Sequence, residues 1–261
     1  MREHLLLLCM AYPEPSTKYG ASVCMAGITE ENEFRRIYPV PFDTFYKNKF
    51  HKRQWISYEL REKGDYRKES YKIRPDTIEQ YTQISNNDLR LICKEKHSTI
   101  EELKGEWETQ RTSLGIIKPE ITGIVIKEKE IKDSVIARNQ QTSLAGSHVP
   151  PIDLLKHDIQ YKFTCSDDCN GHKCLCLDTE AGQLYRNIVS KTDDPDDIRS
   201  KLEHALFKKM KTRDLFFMMG SHSFHPKSWM IISLLYPPKQ HNKSLFDFVA
   251  PSDQMHNKSV A

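Results

Sequence analysis

The chain has 261 residues, a formal net charge of +3, 38% hydrophobic residues and 29% charged residues. The apolar share is below the ~45–50% of an average globular chain but enough for a packed core, which excludes a wholly disordered polymer, a collagen-like fibre and a disulfide miniprotein. The sequence contains no run of ~18 apolar residues, so no segment is expected to span a bilayer.

In chain order, residues 5–11 read as a buried strand. The short apolar start runs into Tyr12-Pro13 without a small-residue cleavage site, unlike an export signal. A loop follows at 12–17. Strands are expected at 21–27 and 33–38, the second ended by Pro39 and Pro41, and another at 54–60. These short strands suggest a small barrel of the OB type over residues 1–80. From Ser85 the texture turns helical. Ser98 and Glu101 have capping-box spacing and start a helix to about residue 112. Strands at 114–117 and 121–126 and a charged, exposed stretch at 127–141 complete a mixed middle part, 81–142. Gly146, Pro150 and Pro151 mark residues 143–151 as a linker.

The third part, 152–238, reads as α/β. A strand at 159–164 leads through a Cys-rich turn to a partner strand at 173–177. Asp178 caps a helix to about Val189. Asp194-Pro195-Asp196-Asp197 starts the next helix, with Asp as N-cap, Pro at the first helical position and acids toward the dipole. Strands at 215–219 and 229–236 follow, and the polar tail 239–261 is expected to fray. The expected fold class is therefore α+β.

Four of the seven cysteines fall between 165 and 176. In a chain without an export signal, read as cytoplasmic, crowded cysteines point to a metal more than to disulfides. In the run Cys165-Ser-Asp-Asp-Cys169-Asn-Gly-His172-Lys-Cys174-Leu-Cys176, thiols and an imidazole surround a glycine that lets the chain bend back. That donor set suits tetrahedral Zn²⁺. Cys165, Cys169 and His172 are the natural ligands, with Cys174 as the fourth. Cys176, His222 or His225 are alternatives, and a reduced cysteine cluster is the bland one.

Asp178 and Glu180, with His225 or His222, could serve a Mg²⁺- or Mn²⁺-dependent nuclease or other phosphodiesterase. The simpler reading makes Asp178 an N-cap and Glu180 a dipole partner. The loop Gly220-Ser221-His222-Ser223-Phe224-His225-Pro226, set between two apolar strands, is a further place where polar groups could gather.

Charge is uneven. Residues 35–74 hold twelve Lys/Arg against five acids, a net +7, which leaves −4 for the rest. With Tyr, Phe and Trp interleaved, this favours nucleic acid as partner: cations for phosphates, aromatics for bases. Arg35, Arg36, Lys52, Arg53, Trp55, Arg67 and Arg74 are the expected contacts. A protein-interaction adaptor, docking an acidic partner on the same stretch, is the third reading, and partner subunits are expected in the first.

Three blocks carry a resemblance. Tyr12-Pro-Glu-Pro-Ser16 with Phe34-Arg-Arg-Ile-Tyr38-Pro-Val-Pro-Phe42 is the first, Tyr161-Lys-Phe163-Thr-Cys165 through His172 and Asp178 to Tyr185-Arg186 the second, and Phe216-Phe217 through His225-Pro226 and Trp229 to Tyr236-Pro237 the third. Together they resemble a widespread family of uncharacterised prokaryotic proteins. The first part is similar, more loosely, to dual OB-domain proteins of prokaryotic conflict systems. The resemblance implies a prokaryotic or phage origin and a nucleic-acid-related role within a defence or DNA-processing complex, but no reaction. Thr179 stands where that family often has Trp, and Cys174 and Cys176 where it is usually apolar. The matched core is Cys165, Cys169, His172, Asp178, Tyr185 and Arg186.

Overall fold

The computed structural model describes residues 1–16, 20–140, 152, 154–222 and 224–240. The expected linker 143–151 and nearly all of the expected tail lie outside these residues.

The N-terminal part is built from strands β1 (Arg2–Met10), β2 (Glu14–Ser16), β3 (Gly20–Thr29), β4 (Phe34–Pro41), β5 (Gln54–Lys63) and β6 (Ser70–Gln83), with helix α1 (Phe42–Asn48) between β4 and β5. Leaving aside the short β2, the pairings close on themselves: β1 pairs β3 and β5, β3 pairs β4, β4 pairs β6, and β6 pairs β5. Only the β4–β6 pair is parallel. Counted along the chain, the ring runs first–second–third–fifth–fourth and back to the first.

This closure explains why β1 reads as one apolar run instead of an alternating one. Leu5, Leu7 and Met10 face the ring interior with Val23, Met25, Ile37, Val40, Ile56 and Tyr58. Leu6 and Leu8 face the other way, into an apolar layer with Ile116, Phe216, Met218 and Ile232. Both faces are covered, so both carry aliphatic side chains. Gly27 sits on β3 against the Leu6–Leu7 backbone of β1. A Cβ there would lie 1.9 Å from the Leu6 carbonyl oxygen, so only glycine fits.

Two expectations change here. The third strand does not stop at Tyr38 but runs through Pro39 to Pro41. Beyond Ile37 its β6 side has no ladder partner, so the N–H that proline lacks is not needed there. Strand β6 and helix α1 had no counterpart in the sequence reading. β6 is polar and largely exposed, held by its backbone pairing, and α1 buries no residue and has no side-chain cap.

The remainder comprises α2 (Asn86–Lys96), β7 (His97–Ser98), α3 (Ile100–Gln110), β8 (Leu114–Ile117), β9 (Glu120–Glu128), α4 (Asp133–Gln140), β10 (His157–Thr164), β11 (His172–Leu175), α5 (Thr179–Val189), α6 (Pro195–Glu203), β12 (Phe216–Ser221) and β13 (Trp229–Leu235). Part of the stretch expected to be an exposed charge run is helix α4. A four-stranded sheet, β13-β12-β8-β7, separates the ring from the second core. Along β12 the faces alternate: Phe216 and Met218 look toward the ring, while Phe217 and Met219 join Tyr161, Phe163, Trp107, Tyr185, Leu202 and Leu206. The three-stranded sheet β11-β10-β9 and helices α3, α5 and α6 contribute to that core. The protein is thus strand-rich α+β in layers.

The α5 and α6 starts follow the local rules. Asp178 accepts from the Ala181 amide, and Asp194 accepts from Asp196 with Pro195 at the first helical turn. The α3 start is shifted by one residue from expectation. Thr99 is the cap and Glu102 closes the box, while Ser98 adds a bond to Glu102. Glu101, assigned to the box from spacing alone, is left free to face elsewhere.

Candidate functional site

The expected polyanion-binding side chains do not form one outward face. Arg35 lies on the ring with its guanidinium on both Glu3 oxygens, over the Tyr71 ring, and Tyr58 donates to the same carboxylate at 2.7 Å. Trp55 packs against the apolar layer between ring and sheet. Arg53 bonds Asn86 at 2.7 Å, and Arg74 is exposed, 3.3 Å from Glu59.

Lys52 is interior. Its ammonium lies 2.5 Å from Asp178 Oδ2, 3.1 Å from Glu180 Oε2 and 3.1 Å from the Leu234 carbonyl oxygen. Burial pulls the Lys52 pKa down, but the charges of Asp178 and Glu180 outweigh it and hold the group above its ordinary value. Asp178 is fully buried, and besides Lys52 it accepts from the Ala181 and Leu234 amides. Glu180 is also held by the Tyr236 hydroxyl at 2.8 Å. A lysine ammonium therefore occupies the place between the carboxylates that a nuclease would give to a divalent ion. Of the three residues assigned to catalysis, Asp178 and Glu180 come together as a helix cap and an ion pair. His225 is elsewhere, its ring stacked 5.2 Å from that of His222.

Arg36 and Arg67 do come together. They line a small cleft of about 100 Å³ with Ala11, Tyr12 and Glu14 from the β1–β3 connection, Ser22 and Cys24 from β3, Tyr38 from β4, and Leu177, Ser221, His222, Met230 and Ile232 opposite. Arg36, 4% exposed, donates from its two terminal nitrogens to the Ser113 carbonyl and hydroxyl and to Cys24 Sγ, while its Nε has no hydrogen-bond partner. Arg67 comes from the β5–β6 connection. It grips Asp65 with two nitrogens and donates to the Ser221 carbonyl oxygen at 3.3 Å. Burial works against the Arg67 charge, and the Asp65 carboxylate more than offsets it. The Ser221 hydroxyl is buried and without a partner. His222 Nδ1 accepts from the Phe224 and His225 amides at 3.1 Å, so the neutral ring carries its proton on Nε2. Phe224 stands 85% exposed beside it, ring centroids 6.0 Å apart.

The 220–226 loop was visible in sequence as a candidate, but its placement against the ring was not. Tyr12, Ser22, Cys24 and Ser221 carried no individual signal.

The cysteine turn is assembled as expected in three of its four positions. Cys165 Sγ lies 3.9 Å from Cys169 Sγ and 3.4 Å from His172 Nε2, and the three donors form a group that could hold a metal ion. Gly171, at φ +94°, makes the turn, and its amide donates to Cys169 Sγ. Cys174 is not in the group. It is 9% exposed on β11 opposite Tyr161, and burial pushes its thiol up to about 11. Every cysteine is a free thiol.

Residues 95–250 match the family described as "Domain of unknown function (DUF8757)", and residues 1–101 match "Domain of unknown function (DUF8758)". The first match spans more than half of the chain, and the chain belongs to that family. No curated protein sequence matches it. Among solved structures it is similar to one described as "Structure of murine DNA binding protein bound with ds DNA", at 15% identity and a TM-score of 0.30, over 68% of this chain and 74% of that one. A second is "Structure and Conformational Change of a Replication Protein A Heterotrimer Bound to ssDNA", at 9% identity and 0.28, over 91% of this chain and 65% of that one. Both scores are too low to establish a shared fold. Among the described residues, no helix is long and apolar enough to cross a membrane.

Proposed function

We propose that this member of the DUF8757 family binds single-stranded nucleic acid at the mouth of its five-strand ring, read as a barrel of the OB type. Such barrels take oligonucleotides on their second and third strands, between the connections that join strands one to two and four to five. The observation that carries the reading is the composition of the Arg36–Arg67 cleft. It is lined by the second strand (Ser22, Cys24), the third (Arg36, Tyr38), the first connection (Tyr12, Glu14) and the last (Arg67).

The two guanidinium groups are recessed. A flexible single strand can dip a phosphate toward them, whereas a duplex keeps its phosphates on a stiff outer rim. Phe224, exposed at the rim, and Tyr38 offer faces for bases.

The cysteine turn is read as a Zn²⁺ holder, the ion that two thiolates and an imidazole suit best. A setting in a prokaryotic or phage defence or DNA-processing complex, with partner subunits, is supported by the resemblance of the sequence blocks alone.

The test is fluorescence anisotropy with a labelled short oligothymidylate at low salt. Two phosphate contacts predict a log–log salt slope of about −1.4 for a single strand. Phe224→Ala, a change at an exposed side chain, is expected to weaken binding ~5–150-fold, the equivalent of ~1–3 kcal/mol for one stacked base. Absence of binding at low salt, or binding indifferent to both Phe224→Ala and Arg67→Gln, would reject the proposal.

A further inference from the structure

We propose that Glu101, in the first turn of α3, is the fourth ligand of a Zn²⁺ site formed with Cys165, Cys169 and His172. The inference rests on reading those three residues as a metal holder and adds the group that completes it.

Glu101 Oε1 lies 3.5 Å from His172 Nε2, and Oε2 lies 3.6 Å from Cys165 Sγ. With metal bonds of ~2.3 Å to sulfur, ~2.0 Å to nitrogen and ~2.1 Å to oxygen, tetrahedral angles separate the donor atoms by roughly 3.8 Å (S–S), 3.5 Å (S–N), 3.6 Å (S–O) and 3.3 Å (N–O). The observed separations are 3.9, 3.4, 3.6 and 3.5 Å in the same order. The Cys165–Cys169 and Cys165–His172 pairs agree to about 0.2 Å with one tetrahedron. The two carboxylate distances belong to different oxygens, Oε2 to sulfur and Oε1 to nitrogen, and Glu101 stands outside the three donors that already lie within 4.8 Å of one another, so its side chain must turn to bring one oxygen to the ion.

The helix cap explains why this carboxylate is available. Thr99 and Glu102 satisfy the α3 N-terminus, leaving Glu101 one position earlier with no capping duty. Its nearest cation is Lys104, 3.8 Å away and half-exposed, a weak competitor. Two thiolates, one carboxylate and a neutral imidazole around Zn²⁺ leave a net −1.

Four protein ligands close the coordination sphere, so the site is structural and has no position for a reacting water. Its effect is to tie α3 to the β10–β11 turn across 64 residues of sequence.

The experiment uses the full chain loaded with Zn²⁺ or Co²⁺. Metal is counted by elemental analysis, affinity is read by competition with a chelating dye, and coordination by the visible absorption of Co²⁺. One ion per chain is expected, with a tetrahedral cobalt spectrum. Glu101→Ala should weaken binding roughly a hundredfold or more, above the ~10–100-fold typical of losing an outer-shell partner, and alter the cobalt bands. Glu101→Cys should restore tight binding and add thiolate-to-cobalt charge transfer. Cys174→Ser should change neither. A wild-type chain that holds neither metal overturns the metal reading itself. A wild-type chain that holds metal, with Glu101→Ala unchanged in affinity and spectrum, overturns Glu101 alone. Metal loss in Cys174→Ser with Glu101→Ala unaffected assigns the fourth place to Cys174 instead.

Discussion

Replacing Lys52 with methionine keeps most of the aliphatic volume and removes one charge from the point where the ring meets α5. Asp178 is fully buried and would keep its bonds from the Ala181 and Leu234 amides, but it would lose the cation it is paired with among the described residues. Glu180, its side chain 46% exposed, rehydrates at little cost. The Leu234 carbonyl also loses a donor. Removing one partner of a buried pair costs ~3–5 kcal/mol. At ~2–4 °C per kcal/mol for a chain of this size class, the melting temperature should fall ~6–20 °C. The double variant Lys52→Met/Asp178→Asn removes both charges and should cost less than the sum of the two singles. A urea-denaturation cycle measures that coupling. A single-variant loss below ~1 kcal/mol, or strict additivity, would refute the reasoning.

The same pair sets a pH signature. Because the folded Lys52 pKa is raised, with the charges of Asp178 and Glu180 outweighing burial, its stabilisation is fully present below the unfolded lysine value of ~10.4 and is lost as pH rises through the folded value. The melting-temperature gap between wild type and Lys52→Met should hold from neutral pH to about 10 and narrow above.

Gly27→Ala drives a Cβ to 1.9 Å from the Leu6 carbonyl oxygen. Backbone must move, and a loss of at least ~1–3 kcal/mol is expected in the same denaturation assay. An unchanged midpoint would show that β1 and β3 are not this close. For α3, Thr99→Ala should cost ~1 kcal/mol, while Ser98→Ala stays within ~0.5 kcal/mol. The reverse order would restore the capping box to Ser98.

Much of the local structure was legible. Residues whose partners lie within seven positions revealed themselves: Asp178 and Asp194 as caps, Pro195 at a first turn, Gly171 as the bend that brings His172 to Cys165. The apolar density of β1 and β12 announced burial on two faces. β6 escaped because its stability lies in backbone pairing with β5 and β4, to which side-chain pattern is nearly blind. The one-residue slip at α3 came from two hydroxyl residues and two acids in succession, Ser98-Thr99 and Glu101-Glu102, between which spacing cannot choose.

By itself, then, the sequence determined most of the elements, the Asp178 and Asp194 caps and a Cys/His turn that could hold a metal ion, since propensity and capping act over a few residues. Only the tertiary structure decided what the charges do. Twelve cations in forty residues suggested one outward face, yet Arg35 found Glu3, Lys52 found Asp178 and Arg36 found Ser113, at sequence separations of 32, 126 and 77. A charge count is a sum over a segment. Whether each charge meets solvent, a carboxylate or a ligand depends on what distant strand is packed against it, and that is set by the closing of the ring and the sheet laid on its face.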